Sequence, residues 1–213
     1  MRNMSSPSYV KDAEARIHEE NIQPVTLLCQ ELQDGVPGSR VPLVDPVHDV
    51  DDARIISLQI APGPGTSSGF LSLENDDPTA ARLAEVYEAA GLQPRHGILW
   101  NAYPWELPAE AGMKLTLAQT KQGVRPFRRF LAEVPRVSAI VAHGGYAQNL
   151  IDELSKTGGD LILRERGIKV YKVRSTGDRS FIGNGTQQEG WFVDMVDAYT
   201  DAMGRAGLPR PAK

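Results

Sequence analysis

Two hydrophobic periods alternate along the chain. Residues 7 to 34 follow a helical spacing and read as one or two helices; Pro24 opens the second, with Val25, Leu27, Leu28 and Leu32 as its apolar positions. Residues 35–52 are rich in Gly, Pro and Asp and read as a loop. The pattern then shortens. Arg54 to Ile60 reads as a first strand, His96 to Asn101 as a second, Val137 to Ala142 as a third and Ile168 to Val173 as a fourth. Helical spacing returns between them. Asp77-Pro78-Thr79 opens a helix through Leu83, Val86, Tyr87 and Ala90 that Gly91 ends, Pro126 to Val134 gives another, and Gly145 to Lys156 a third. Trp191, Phe192, Met195, Val196 and Tyr199 place an apolar stripe on a last helix.

Short apolar strands that alternate with helices predict an α/β fold: a three-layer α/β/α domain around a four-stranded, mainly parallel sheet. The expected organisation is one domain, with N-terminal helices and a loop over 1–50, the core over 51–204 and a tail over 205–213. In such sheets ligands bind beyond the carboxyl ends of the strands. Candidate chemistry is therefore expected just after Ile60, Trp100, Ala142 and Val173.

Composition narrows the classes. The chain has 213 residues, 41% of them hydrophobic, enough for one sizeable core. No run approaches the roughly 18 apolar residues of a membrane span, and Met1 to Val10 lacks the apolar stretch of a signal peptide. A cytoplasmic protein that does not enter membranes is expected. The single cysteine, Cys29, excludes an intrachain disulfide and an iron–sulfur cluster held by four thiolates, and reads as a small buried residue. The net charge is −4, but unevenly placed: residues 1–106 carry 7 Lys/Arg against 16 Asp/Glu, and residues 107–213 carry 16 against 11. A basic second half suits an approach to phosphates, and chance surface composition gives the same pattern.

The loops at the strand ends hold the unusual residues. After the first strand, Ile60-Ala61-Pro62-Gly63 leads through Gly65 and Gly69 to Phe70. These glycines allow backbone to approach a ligand closely. They do not make a dinucleotide fingerprint, because the next helix signal waits until about residue 78. A Walker lysine is absent too, which disfavours a nucleotide-dependent α/β enzyme. After the second strand, Asn101 offers a donor and an acceptor that suit a pyrimidine edge, or equally a turn cap. After the third, His143 is a group that titrates near neutrality or merely a loop hydrogen bonder. After the fourth come Arg174, Ser175, Thr176, Gly177, Asp178 and Arg179. Residues 164–179 hold six Lys/Arg against two acids, which suits a loop that grips a phosphate backbone.

In order and spacing these loops resemble the uracil-DNA glycosylase superfamily over roughly residues 50–200. Ala61-Pro62-Gly63 with Phe70 is similar to its first motif, a Pro-containing loop with an aromatic that stacks on the flipped base. Asn101, in Leu99-Trp100-Asn101-Ala102-Tyr103-Pro104, is similar to its uracil-reading Asn. Arg125 to Leu150 has the shape of its helix, strand and Gly-containing turn, and 174–181 occupies the place of its minor-groove loop. The resemblance implies a monomeric DNA-binding protein that extrudes a base, needs no cofactor or metal, and hydrolyses the N-glycosidic bond in base-excision repair. A relative that binds DNA or a free nucleobase without turnover fits equally.

The departures are as specific. Ile60 and Ala61 stand where the superfamily usually has an Asp, Asn or Glu, and the last loop begins Arg174-Ser175-Thr176 instead of with His. Base excision requires a held base edge and stabilised departing charge. The resemblance assigns Ile60, Ala61, Pro62, Gly63, Phe70, Asn101 and His143 to the base pocket, and Thr176, Gly177 and Arg179 to DNA. Arg174, Ser175 or Thr176 is left to steady the leaving base, with Asp178 the nearest group to activate water, ahead of Glu74 and His143. Asp178 paired with Arg179, or capping the loop, is the alternative.

Overall fold

The computed structural model describes residues 2–63 and 68–209. The N-terminal segment forms α1 (Pro7–Arg16) and α2 (Gln23–Asp34), each with proline in its first turn, where the missing N–H goes unused. Four five-residue strands follow: β2 (Ile55–Gln59), β4 (Gly97–Asn101), β5 (Ala139–His143) and β6 (Lys169–Val173). They build one parallel sheet in the order β4-β2-β5-β6. Parallel neighbours need crossovers, and helices supply them: α3 (Pro78–Ala90), α4 (Leu117–Glu133) and α5 (Gly144–Leu154). The short α6 (Asp160–Glu165) precedes β6, and the long α7 (Gly185–Arg205) follows it.

Side-chain alternation divides the core. Ile56, Leu58, Ile98, Trp100, Ile140 and Ala142 face a layer built from α2, α4 and α5. Ile55, Leu99, Ala139 and Val141 face α3 and α7. Three layers result, α/β/α, with β2, β4 and β5 buried on both faces almost throughout. Cys29 is wholly buried in the first layer, and burial pushes its thiol up to about 12.

A helix begins at Leu117, not at Pro126. Thr116 and Gln119 form a reciprocal capping box at its start, and Pro126 sits inside it. A mid-helix proline leaves the carbonyl four residues back without its bond; here that residue is Gln122, which is exposed to water. Gly123 also lies inside α4, because a Cβ there would come 1.8 Å from the Ala102 carbonyl oxygen. The last helix likewise starts earlier than its apolar stripe, at a second capping box formed by Asn184 and Gln187.

The loops expected over 35–52 and 61–77 hold a second, two-stranded parallel sheet, β1 (Leu43–Val44) with β3 (Phe70–Leu71). Ser72 donates to the buried Asp45 carboxylate at 2.5 Å, locking the two loops together. His48, fully buried, lies 2.8 Å from the Pro94 carbonyl and 2.9 Å from that of Gly97 through Nδ1. Carbonyls only accept, so Nδ1 carries the proton and ties the segment before β2 to the start of β4.

Candidate functional site

The register of the sheet sets three polar residues in a row. Gln59 ends β2 and pairs with Asn101, which ends β4. His143 ends β5, one step beyond the Leu58–Ala142 pair. Thus His143 is the last residue of the strand instead of lying in the loop after it. All three have the parity of Ile55, Leu99 and Val141, so they point to the α3/α7 side.

Below the row runs a buried hydrogen-bond chain. The Ser57 hydroxyl lies 2.7 Å from that of Tyr87 and 2.5 Å from that of Tyr199, and Tyr199 lies 2.8 Å from His143 Nε2. Gly97 makes room for it, since a Cβ there would come 2.4 Å from the Tyr87 hydroxyl. Burial pushes His143 down to about 3, offset slightly by the adjoining Arg174 backbone, so the ring is neutral at pH 7. Burial raises both tyrosines, Tyr87 and Tyr199, well above their ordinary range, so they stay protonated. Tyr199→Phe keeps the ring and leaves Ser57 and His143 Nε2 each one partner short. A loss of about 2 kcal/mol in unfolding free energy is expected from urea melts.

The row itself is not fully satisfied. Thr176, wholly buried, donates to Gln59 Oε1 at 3.3 Å, which orients the Gln59 amide and leaves its Nε2 buried without a partner. Asn101 is 3% exposed, and its Nδ2 is also buried without a partner. His143 Nδ1 makes no well-formed hydrogen bond either. An unpaired buried donor costs about 1–3 kcal/mol, so two amides side by side favour a ligand that brings acceptors.

Around the row, Ile60 is half-buried, Ala61 and Pro62 are buried, and Gly63 is half-buried. Backbone bonds from Ala102 to Gln59 (2.8 Å) and from Tyr103 to Ile60 (3.0 Å) zip the two loops together past the strands. The centre of the Gly-rich loop, residues 64–67 with Gly65, lies outside the described residues. Phe70 is 2% exposed and packs with Met4 and Ala13, flanked by Tyr9 and Leu43. The stacking face expected of it is therefore spent on the N-terminal helix. The sequence placed this aromatic after a flexible loop and gave no sign that β3 would turn it inward.

The loop after β6 is held from several sides. Gly144, at φ +80°, lets Ser175 dock on the β5–α5 junction, where a Cβ would meet Ser175 Cβ at 2.8 Å. Ser175 is half-buried and its hydroxyl accepts from the Gly177 N–H at 3.2 Å. Arg82 of α3 donates to the Thr176 carbonyl and to Asp178 at 3.2 Å, and stacks on Phe181. Asp178 is thus paired with Arg82, not with Arg179, whose own guanidinium reaches the Gly112 carbonyl at 3.0 Å. Arg174 lies 3.6 Å over the Trp191 ring and donates to the Ser180 carbonyl. Both Arg174 and Arg179 are exposed, and Ile182 beside them is 77% exposed. Glu74 lies away from this loop, bonded to Arg2 and Asn3 of the N-terminal segment.

Sequence reasoning missed Gln59, Ser57, Tyr199 and Arg82. Gln59 carried the same signal as Asn101, a polar residue closing an apolar strand; the others are visible only once α3 and α7 are packed on the sheet.

No protein-family model matches the chain, and no curated protein matches it. Among the described residues no helix is long and apolar enough to cross a membrane.

Proposed function

We propose that the chain is a DNA-binding protein of the uracil-DNA glycosylase type that holds an extruded base at the Gln59–Asn101 row and releases plain uracil slowly or not at all. The observation that carries this reading is the pair of buried, unpartnered amide donors, Gln59 Nε2 and Asn101 Nδ2, side by side at the carboxyl edge of a parallel sheet. Carbonyl oxygens and ring nitrogens of a base are acceptors of the required kind. The exposed Arg174 and Arg179 supply cations for phosphates, and the exposed Ile182 supplies an apolar tip of the sort that wedges between base steps.

Slow turnover follows from the same residues. Ile60 and Ala61 offer no carboxylate, Asp178 is held by Arg82, and His143 is neutral and enclosed. Arg174 steadies negative charge without giving up a proton, which helps a leaving base but does not activate water.

The test is binding and abasic-site cleavage on duplexes and single strands that carry uracil and several modified bases. Asn101→Ala is expected to change the order of preference among bases, and Gln59→Ala to weaken the tightest of them about tenfold, because polar groups left unmatched discriminate strongly. Rapid uracil release that persists in Asn101→Ala would overturn the reading.

A further inference from the structure

On the other side of the sheet, α4 and the end of α5 leave an open groove of about 640 Å³. Lys121, Arg125 and Arg128 line it from α4, Glu153 from the end of α5, and Lys156 and Thr157 from the turn that follows α5. Four cations thus face one carboxylate, and that carboxylate is already matched: Glu153 accepts from Lys156 at 2.6 Å. Arg128 is anchored by its donation to the Thr157 carbonyl and hydroxyl, while its Nε is buried without a partner. Lys121 and Arg125 are exposed, and neither makes a side-chain hydrogen bond or ion pair among the described residues.

The spacing is as informative as the charge. Positions 121, 125 and 128 fall on one helix face and span about 10 Å along its axis. Cations strung over that length, along an open groove with Val124 in its lining, suit an elongated polyanion better than a single small anion. The groove is also remote from the base row. Glu153 lies nine residues down α5 from Gly144, about 14 Å along the helix from the carboxyl edge of the sheet.

We propose that this groove is a second nucleic-acid surface, one that takes the phosphodiester backbone of a single strand without reading its bases. It does not rest on the base-site reading, and a strand held here needs no extruded base. Because both free cations are exposed, Lys121→Gln and Arg125→Gln can be combined without disturbing the core.

The experiment measures anisotropy of a labelled oligothymidylate against NaCl concentration for the full chain. The double variant is expected to bind roughly tenfold more weakly at low salt. Its salt slope is expected to shrink by about 1.4, which is about 0.7 for each lost single-strand contact. Asn101→Ala removes no cation, so it is expected to change base preference without shrinking the salt slope, and a failure of the base row and a failure of the groove are read separately. Unchanged binding in a double variant with a native melting curve overturns the proposal. So does equal competition by polyglutamate of matched charge, which would make the groove a site for acidic protein segments.

Discussion

Gly123→Ala is expected to be the most damaging single-methyl change in the chain. The added Cβ would lie 1.8 Å from the Ala102 carbonyl oxygen and 3.0 Å from its carbon, both backbone atoms, with Leu150 Cδ1 at 3.3 Å. No side-chain rotation relieves contacts with main chain. Either α4 must move off the sheet or the segment after β4 must bend. Overpacking of a dense core usually costs about 1–3 kcal/mol, and a contact this short belongs at or above the upper end. A fall in melting temperature of roughly 6–12 °C corresponds to about 3 kcal/mol in a domain of this size. Ala102 directly follows Asn101, so the variant is also expected to lose base discrimination before it loses secondary structure. A variant with an unchanged melting temperature would show that α4 does not approach β4 this closely.

Acid is expected to weaken the fold well before carboxylates are titrated in bulk. His143 is pushed down to about 3 in the folded chain by burial. In the unfolded chain it titrates near 6.5. Between those values the unfolded state binds one proton more than the folded state, so stability rises with pH across the window and falls as pH drops through it. The slope for one such group approaches about 1.4 kcal/mol per pH unit, or about 2 kcal/mol between pH 7 and pH 5. His48 is lowered as well by complete burial, opposed by the nearby Asp45 charge, and adds in the same direction. Urea midpoints at the two pH values check this. His143→Gln is expected to lose about 2 kcal/mol less than the parent on acidification; equal losses would place the sensitivity elsewhere.

Much of the sheet was legible because its strands are short, apolar and flanked by strong helix signals. Asp77 accepts from the N–H groups of Thr79 and Ala80, and Gly91 adopts φ +75°, so α3 has both of its ends written locally. The start of α4 was hidden for a physical reason. Its two breakers, Gly123 and Pro126, are tolerated because Ala102 needs the space beside one and the carbonyl freed by the other belongs to Gln122, an exposed residue. The β1–β3 pair is two residues long and carries no period to detect. The same limit applied to the site. Asn101 stands out from sequence because it closes an apolar run, whereas the inward turn of Phe70 depends on Met4 and Ala13, more than fifty residues away. Arg82 comes to Asp178 across 96 positions, a partnership that no local pattern announces.

The two margins of the main sheet are treated differently. β4 is buried along its whole length, but β6 is the other border and is largely open to solvent. A border strand has main-chain groups facing outward that can recruit a strand from another molecule. Lys169 and Lys172 have opposite parity on β6, so one stands on each face of that border. Each is held in place by an acid from a covering helix, Lys169 by Asp201 at 2.8 Å and Lys172 by Asp152 at 3.0 Å. A strand arriving from outside would have to desolvate a charged pair above and another below. Two of the sixteen cations in the second half of the chain, Lys169 and Lys172, therefore also guard it against sheet extension and the aggregation that follows.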